Sequence, residues 1–412
     1  MVESGIARER RYVRNIYALM SLFILIDPLL NSLIFYTSII RFLELTVFCF
    51  ILYFEYGFLK RFGACHYRRW VSFWIIILVL NALSIVLRGK FEGIKEMVLM
   101  LISPLGVLPY MLPFLILCLP NAEYFKTILN VFFYSCLASF PLWIIGYIDD
   151  GLVRDAYYGE LIGAYFPFFA AFLLGFIDSF KWKKRLAIVC VFLIYLILMI
   201  LNARRNVVLS LLLYAFFAFC SYVIKYARKG SRKLIRIFTI TAVLCIAAVA
   251  SFPRLTSGLL SKLLERGLEN TRSRVELSFI DDFASSPASD AVFGRGMNGT
   301  YFYYFRDDVT GDLETDRNVI ETGYLDMVLK GGIIQVVAVM VLLVTAIVSA
   351  FKIKGRPARF LGLVLVIYII SLYTSAPISS FCVPAIIFWV CVSTSIQLGG
   401  FQKRKRESGH IS

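Results

Sequence analysis

In the stretch "LILMILNARRNVVLSLLL", residues 196–213, Arg204 and Arg205 stand between two apolar runs. A charge at the centre of a bilayer costs at least ~2.5–3.5 kcal/mol, so such residues sit at an interface or perform a task. Further along the chain come Arg272, Arg274, Arg295 and Arg317. A guanidinium is always charged and grips the oxygens of a diphosphate in a two-pronged fork. Taken singly, each of these arginines reads as a membrane anchor or a surface ion pair. As a group on one side of a membrane, they suit the diphosphate of a lipid whose polar part hangs outside. The segment "DRNVIETGYL", residues 316–325, adds two carboxylates. Glu321 is the first choice for a general base toward a hydroxyl, and Asp316 the second. If this segment is helical, Arg317, Glu321 and Tyr324 share one face and Asp316 falls near the N-cap. The plainer reading is an interfacial helix with an Arg–Glu pair worth a few tenths of a kcal/mol. Tyr301, Tyr303, Tyr304 and Tyr324 could stack on sugar faces, or simply belong to an interfacial aromatic belt.

The elements that must hold these residues are set by composition. The chain has 412 residues, 59% of them apolar and 17% charged, with a mean hydropathy of +0.77. Soluble chains average roughly 45–50% apolar residues. The expected fold is therefore an all-α, polytopic helical membrane protein. Apolar runs fall at about 16–36, 38–57, 70–87, 97–119, 125–148, 161–180, 186–202, 206–224, 234–252, 332–351, 359–374 and 378–398, which gives about twelve spans. The fourth run, with the Pro120 that closes it, carries four prolines and is expected to be kinked or broken. With the N-terminus inside, 27 of the 43 lysines and arginines fall on the inner side and 16 on the outer. The bias repeats from loop to loop and sets the orientation, with both termini cytoplasmic. The net charge of +16 follows from that rule and calls for no nucleic acid. Three regions result: a bundle of about nine spans over 1–252, a large outer loop over 253–331 between spans nine and ten, and three spans with a basic tail over 332–412.

The outer loop carries apolar periodicity and the aromatic run "YFYYF", so it is expected to fold, mostly as helix. Gly331-Gly332 should interrupt the helix that leads into the tenth span. "GRGMNG", residues 294–299, matches a nucleotide-loop pattern but has no strand before it, and a tight turn is the better reading. The five carboxylates of "RDDVTGDLETD", residues 306–316, lack calcium-loop spacing and read as a solvated turn. Nothing in the sequence requires a metal or a cofactor. The only histidines, His66 and His410, fall on the inner side, so no imidazole is available outside.

"NARRNVVLSLLL", then "SRVELSFIDDFASSPASDAVFGRG", then "DRNVIETGYLDMVLKGGII" together resemble the O-antigen polymerase and O-antigen ligase superfamily. The likeness covers roughly residues 195–350. It rests on an Arg-bearing span start, a large outer loop closing on G-x-G, and a segment entering a late span. Ligases of this type carry a His-Asn pair where this chain reads Arg317-Asn318, so the resemblance favours the polymerase branch (the Wzy type). It implies a glycosyltransferase in the bacterial inner membrane, acting at the periplasmic face on an oligosaccharide linked to undecaprenyl diphosphate. A chain-length regulator and a flippase of the same pathway would be its partners, along with membrane lipid. The rival readings are a ligase to lipid A core and a carrier that flips the lipid-linked glycan.

Overall fold

The computed structural model describes residues 2–31, 37–91, 93–94, 96–97, 100, 106–148, 166–201, 205–227, 272–306, 313–373 and 380–408. In chain order the helices are α1 (Val2–Asn31), α2 (Thr37–Phe62), α3 (Arg69–Leu87), α4 (Leu108–Leu117), α5 (Phe125–Ile148), α6 (Pro167–Leu174), α7 (Trp182–Leu201) and α8 (Arg205–Ala227). Then come α9 (Arg272–Ala284), α10 (Ala288–Phe293), strands β1 (Tyr301–Arg306) and β2 (Leu313–Arg317), α11 (Gly323–Lys352), α12 (Arg356–Ser371) and α13 (Val383–Ser408).

Helix dominates because apolar runs of this length satisfy every backbone N–H and C=O within themselves. Among the described residues, four stretches are long and apolar enough to cross a membrane: Phe42–Phe62, Arg69–Leu87, Gly323–Lys352 and Val383–Gly400. The run expected at 97–119 contributes α4, with Pro109 at its start and Pro113 inside it, which is too short to cross alone. The run expected at 161–180 yields the eight-residue α6 and a 3-10 turn at Ile177–Ser179. The run at 234–252 lies outside the described residues.

The core is built around α13. Every residue from Val383 to Gln397 is buried, so this helix is surrounded on all sides. It packs against α11, α12, α4 and α6, while α11 also packs against α3, α10 and α12. By contrast, α2 and α3 turn Phe50, Tyr53, Phe73, Ile76, Leu80 and Leu83 outward. An exposed apolar band of that extent on long helices suits contact with lipid.

Two groups of loops gather at opposite ends of this bundle. At one end Tyr67, Asn121, Ser393 and Gln397 form a hydrogen-bonded cluster, with Tyr17 donating to Asn121 at 2.6 Å. Near it Arg356 Nη1 meets Asp178 Oδ2 at 2.5 Å, donates to the Gly175 carbonyl and stacks on Tyr222. The other end carries the end of α3, the segment from α9 to β2, and the start of α11.

The segment over 272–317 departs from an all-α fold. "YFYYFR" forms β1 and pairs antiparallel with β2, "LETDR", placing Tyr301 opposite Arg317 and Phe302 opposite Asp316. The alternation of Tyr301 inward and Phe302 outward follows the two-residue period of a strand. α9 packs on β1, with Phe279 edge-on to Tyr301 at 5.6 Å between ring centres. This small α+β layer caps the end of the bundle.

Candidate functional site

The cap is fixed to the bundle by backbone against backbone. α11 is broken at Gly332, whose φ of 68° and ψ of −173° only glycine adopts readily. The expected interruption at Gly331-Gly332 is therefore present. The break frees carbonyls at the end of the first half-helix, and the turn after α10 supplies their donors. Arg295 N donates to Leu329 O at 2.7 Å, and Gly296 N to Lys330 O at 3.1 Å. From α3, Asn81 Nδ2 donates to Gly331 O at 2.7 Å. Met297 N donates to Ile85 O at 3.1 Å, tying the same turn to α3. Gly294 and Gly296 both have positive φ, and a Cβ on either would collide with main chain, at Lys330 and Arg88 respectively. "GRGMNG" is thus a tight turn, as its context suggested, and its glycines serve close backbone approach.

Side chains reinforce the junction. Arg88 Nη2 contacts Asp290 Oδ1 at 2.6 Å. Arg295, expected among the diphosphate arginines, directs its whole guanidinium to protein partners. Nη1 reaches Asp282 Oδ2 at 2.5 Å and the Thr300 carbonyl at 2.6 Å, Nε reaches Asp290 Oδ2 at 3.3 Å, and Nη2 donates to Ser286. The Phe283 ring lies against its face.

Under the cap, Lys330 is buried and donates through Nζ to the Asn318 carbonyl at 2.6 Å and the Gly299 carbonyl at 3.2 Å. Asp326, one turn earlier on α11, is also buried. Sequence reasoning counted Lys330 and Arg88 only as outward charges and passed over Asp326, Asp282 and Asp290. The i, i+4 spacing of Asp326 and Lys330 was the available signal.

Of the expected site residues, a subset converges. Arg317 lies on β2 with its guanidinium 5.8 Å from the Tyr303 ring centre. Tyr301 is buried and its hydroxyl has no hydrogen-bond partner among the described residues. Burial pushes that hydroxyl up to about 12, against the pull of the Arg317 charge, so it is a phenol and not a base at neutral pH. Tyr303, Asp326 and Glu321 also act on it electrostatically. Glu321 and Asp316 are exposed. Tyr324 is half-buried and donates its hydroxyl to Ile369 O at 2.8 Å, stapling α11 to α12.

The expected helix over 316–325 does not form. Asp316 and Arg317 end β2, residues 318–322 are irregular, and α11 starts at Gly323. Its N-cap is Thr322, whose hydroxyl donates to Glu276 of α9 and not to the helix. Arg317, Glu321 and Tyr324 therefore do not share a helical face. Arg205 opens α8, and Arg272 and Arg274 open α9, but their side chains, like that of Tyr304 on β1 and all of Arg204, lie outside the described residues. Most of the acidic turn over 306–316 lies outside them as well. Among the described residues, no group of three His, Cys, Asp or Glu side chains could hold a metal ion.

No protein-family model and no curated protein matches the chain.

Proposed function

We propose that this protein is a membrane glycosyltransferase of the O-antigen polymerase type, working where the cap meets the bundle. The substrate is an oligosaccharide repeat unit on undecaprenyl diphosphate, presented at the periplasmic face of a bacterial inner membrane crossed about twelve times. A hydroxyl of one repeat unit attacks the anomeric carbon of the growing chain. The bond from that carbon to the diphosphate oxygen breaks, and undecaprenyl diphosphate leaves with its negative charge. The hydroxyl proton passes to Glu321, with Asp316 as the alternative acceptor.

The leaving group needs fixed positive charge, and one preorganised donor of this kind is worth ~2.7–4 kcal/mol. Arg317, Arg204, Arg205, Arg272 and Arg274 are assigned that work. Arg295 is assigned to holding the cap. Tyr303 offers an exposed edge of the cap to sugar.

The observation that carries this reading is the grouping of Arg317, Tyr303, Tyr301 and Glu321 on one cap at one end of an apolar bundle. The resemblance of residues 195–350 to the superfamily supplies the reaction. The test is the lipopolysaccharide or polysaccharide ladder of cells carrying Glu321→Gln. The reading expects single repeat units in place of long chains, with protein levels in the membrane unchanged. Persisting long chains would overturn it.

A further inference from the structure

Below the helix break, inside the bundle, α3, α4, α11 and α13 line a small, partly open cavity whose lining includes Asn81, Tyr110, Gln335 and Trp389. Three polar atoms of these residues are buried without a hydrogen-bond partner among the described residues: Asn81 Oδ1, Gln335 Oε1 and Trp389 Nε1. Asn81 Nδ2 is held by the Gly331 carbonyl, which fixes which end of the amide faces the other way. Both amide oxygens lie over the bare face of Gly331, where a Cβ would strike them. Gly331 thus has no side chain because two acceptors occupy its place.

Leaving polar atoms unpaired in an apolar bundle costs the full desolvation penalty of each. Two acceptors and one donor are together what a single hydroxyl-type oxygen satisfies: two O–H bonds given and one N–H bond received. Buried waters typically make about three hydrogen bonds. The cavity has room for about one water, which excludes a sugar ring or a hydrated ion.

We propose that this cavity is a water-binding site that bridges α3, α11 and α13 directly beneath the broken helix. The water replaces the side-chain pairing that the break and Gly331 deny to Asn81 and Gln335. It also places an exchangeable water inside the membrane part of the molecule, next to Tyr110.

X-ray radiolysis of the full-length protein in detergent micelles equilibrated with oxygen-18 water tests the site, with oxidised side chains read by mass spectrometry. Trp389 is only 1% exposed, yet it is expected to take up oxygen-18. Tyr195, equally buried and with its hydroxyl already paired to Ser139, is expected to stay unlabelled. Gln335→Leu should cut the Trp389 label several-fold, leave exposed Trp182 unchanged and lower the melting temperature. An unlabelled Trp389 in the unaltered chain overturns the proposal, and so does a Gln335→Leu variant that melts higher, because a dry cavity gains from losing an orphan acceptor. If that variant does not fold, the label on the unaltered chain still decides.

Discussion

Arg295 reaches two carboxylates, a hydroxyl and a main-chain carbonyl at once, while an aromatic ring covers its face. A flat, five-donor guanidinium can do this and a lysine ammonium cannot. Arg295→Lys is therefore expected to leave part of the Asp282 and Asp290 charge without a donor. Hydrogen bonds to charged groups are worth about 1.5–3 kcal/mol each, and these groups are about one-fifth exposed, so the lower end applies. The measurable consequence is a lower unfolding temperature and faster proteolysis within 272–306. If Arg295 gripped a substrate instead, Arg295→Lys would lose polymer with stability unchanged. Sequence could name Arg295 but not its task, because its carboxylates follow from the fold of α9 and α10 and not from a motif. For Arg88 the distance is greater: its partner Asp290 lies 202 positions away.

At the scale of elements, the junction between cap and bundle rests on Gly294, Gly296 and Gly332. At Gly332 a side chain would meet the main chain of Val292 and Phe293, and the backbone lies in a region that costs other residues about 1–3 kcal/mol. Gly332→Ala should lose at least that much stability in thermal unfolding, and the collision adds to it. Gly63 also has positive φ but open space around it, so Gly63→Ala should cost less, which separates backbone strain from collision. At the opposite end, Arg356→Ala removes an ion pair, a carbonyl bond and a ring contact that join α12 to α6 and α8. A loss of about 1.5–3 kcal/mol in the same assay is expected. Most helices were legible because an apolar run of some twenty residues has one good backbone solution in lipid. The break in α11 was legible from two adjacent glycines. The hairpin was not. "LETDR" carries no apolar alternation, and the i, i+4 spacing of Arg317 and Glu321 mimicked a helix face that the chain does not build. Lys330 and Asp326 were legible as charges, but their burial depends on the cap folding over them.

For the whole molecule, the decisive property is its two-ended arrangement. Loops with dense positive charge meet around Tyr67, Asp178 and Gln397, and the cap sits at the far end. In a cysteine-free background, a thiol at position 289, exposed on the cap, should react with a membrane-impermeant reagent in intact cells. A thiol restored at Cys65 should react only after the membrane is breached. Labelling of both from outside would contradict the orientation drawn from the lysines and arginines, and with it the placement of the site. The central position of α13 fits the same plan. Its apolar middle lies between α11 and α12, and its polar Ser393 and Gln397 come where Tyr67 and the Leu119 carbonyl, at the end away from the cap, pair with them.

The cap's seat also imposes an order on biogenesis. The Lys90–Asn298 contact joins residues 208 positions apart, and the second half of the seat, the break in α11, is made later still. Synthesis and insertion must therefore pass Gly332 before the cap has anywhere to dock. A ribosome stalled earlier would leave the segment over 272–306 without the half of its seat that α11 supplies.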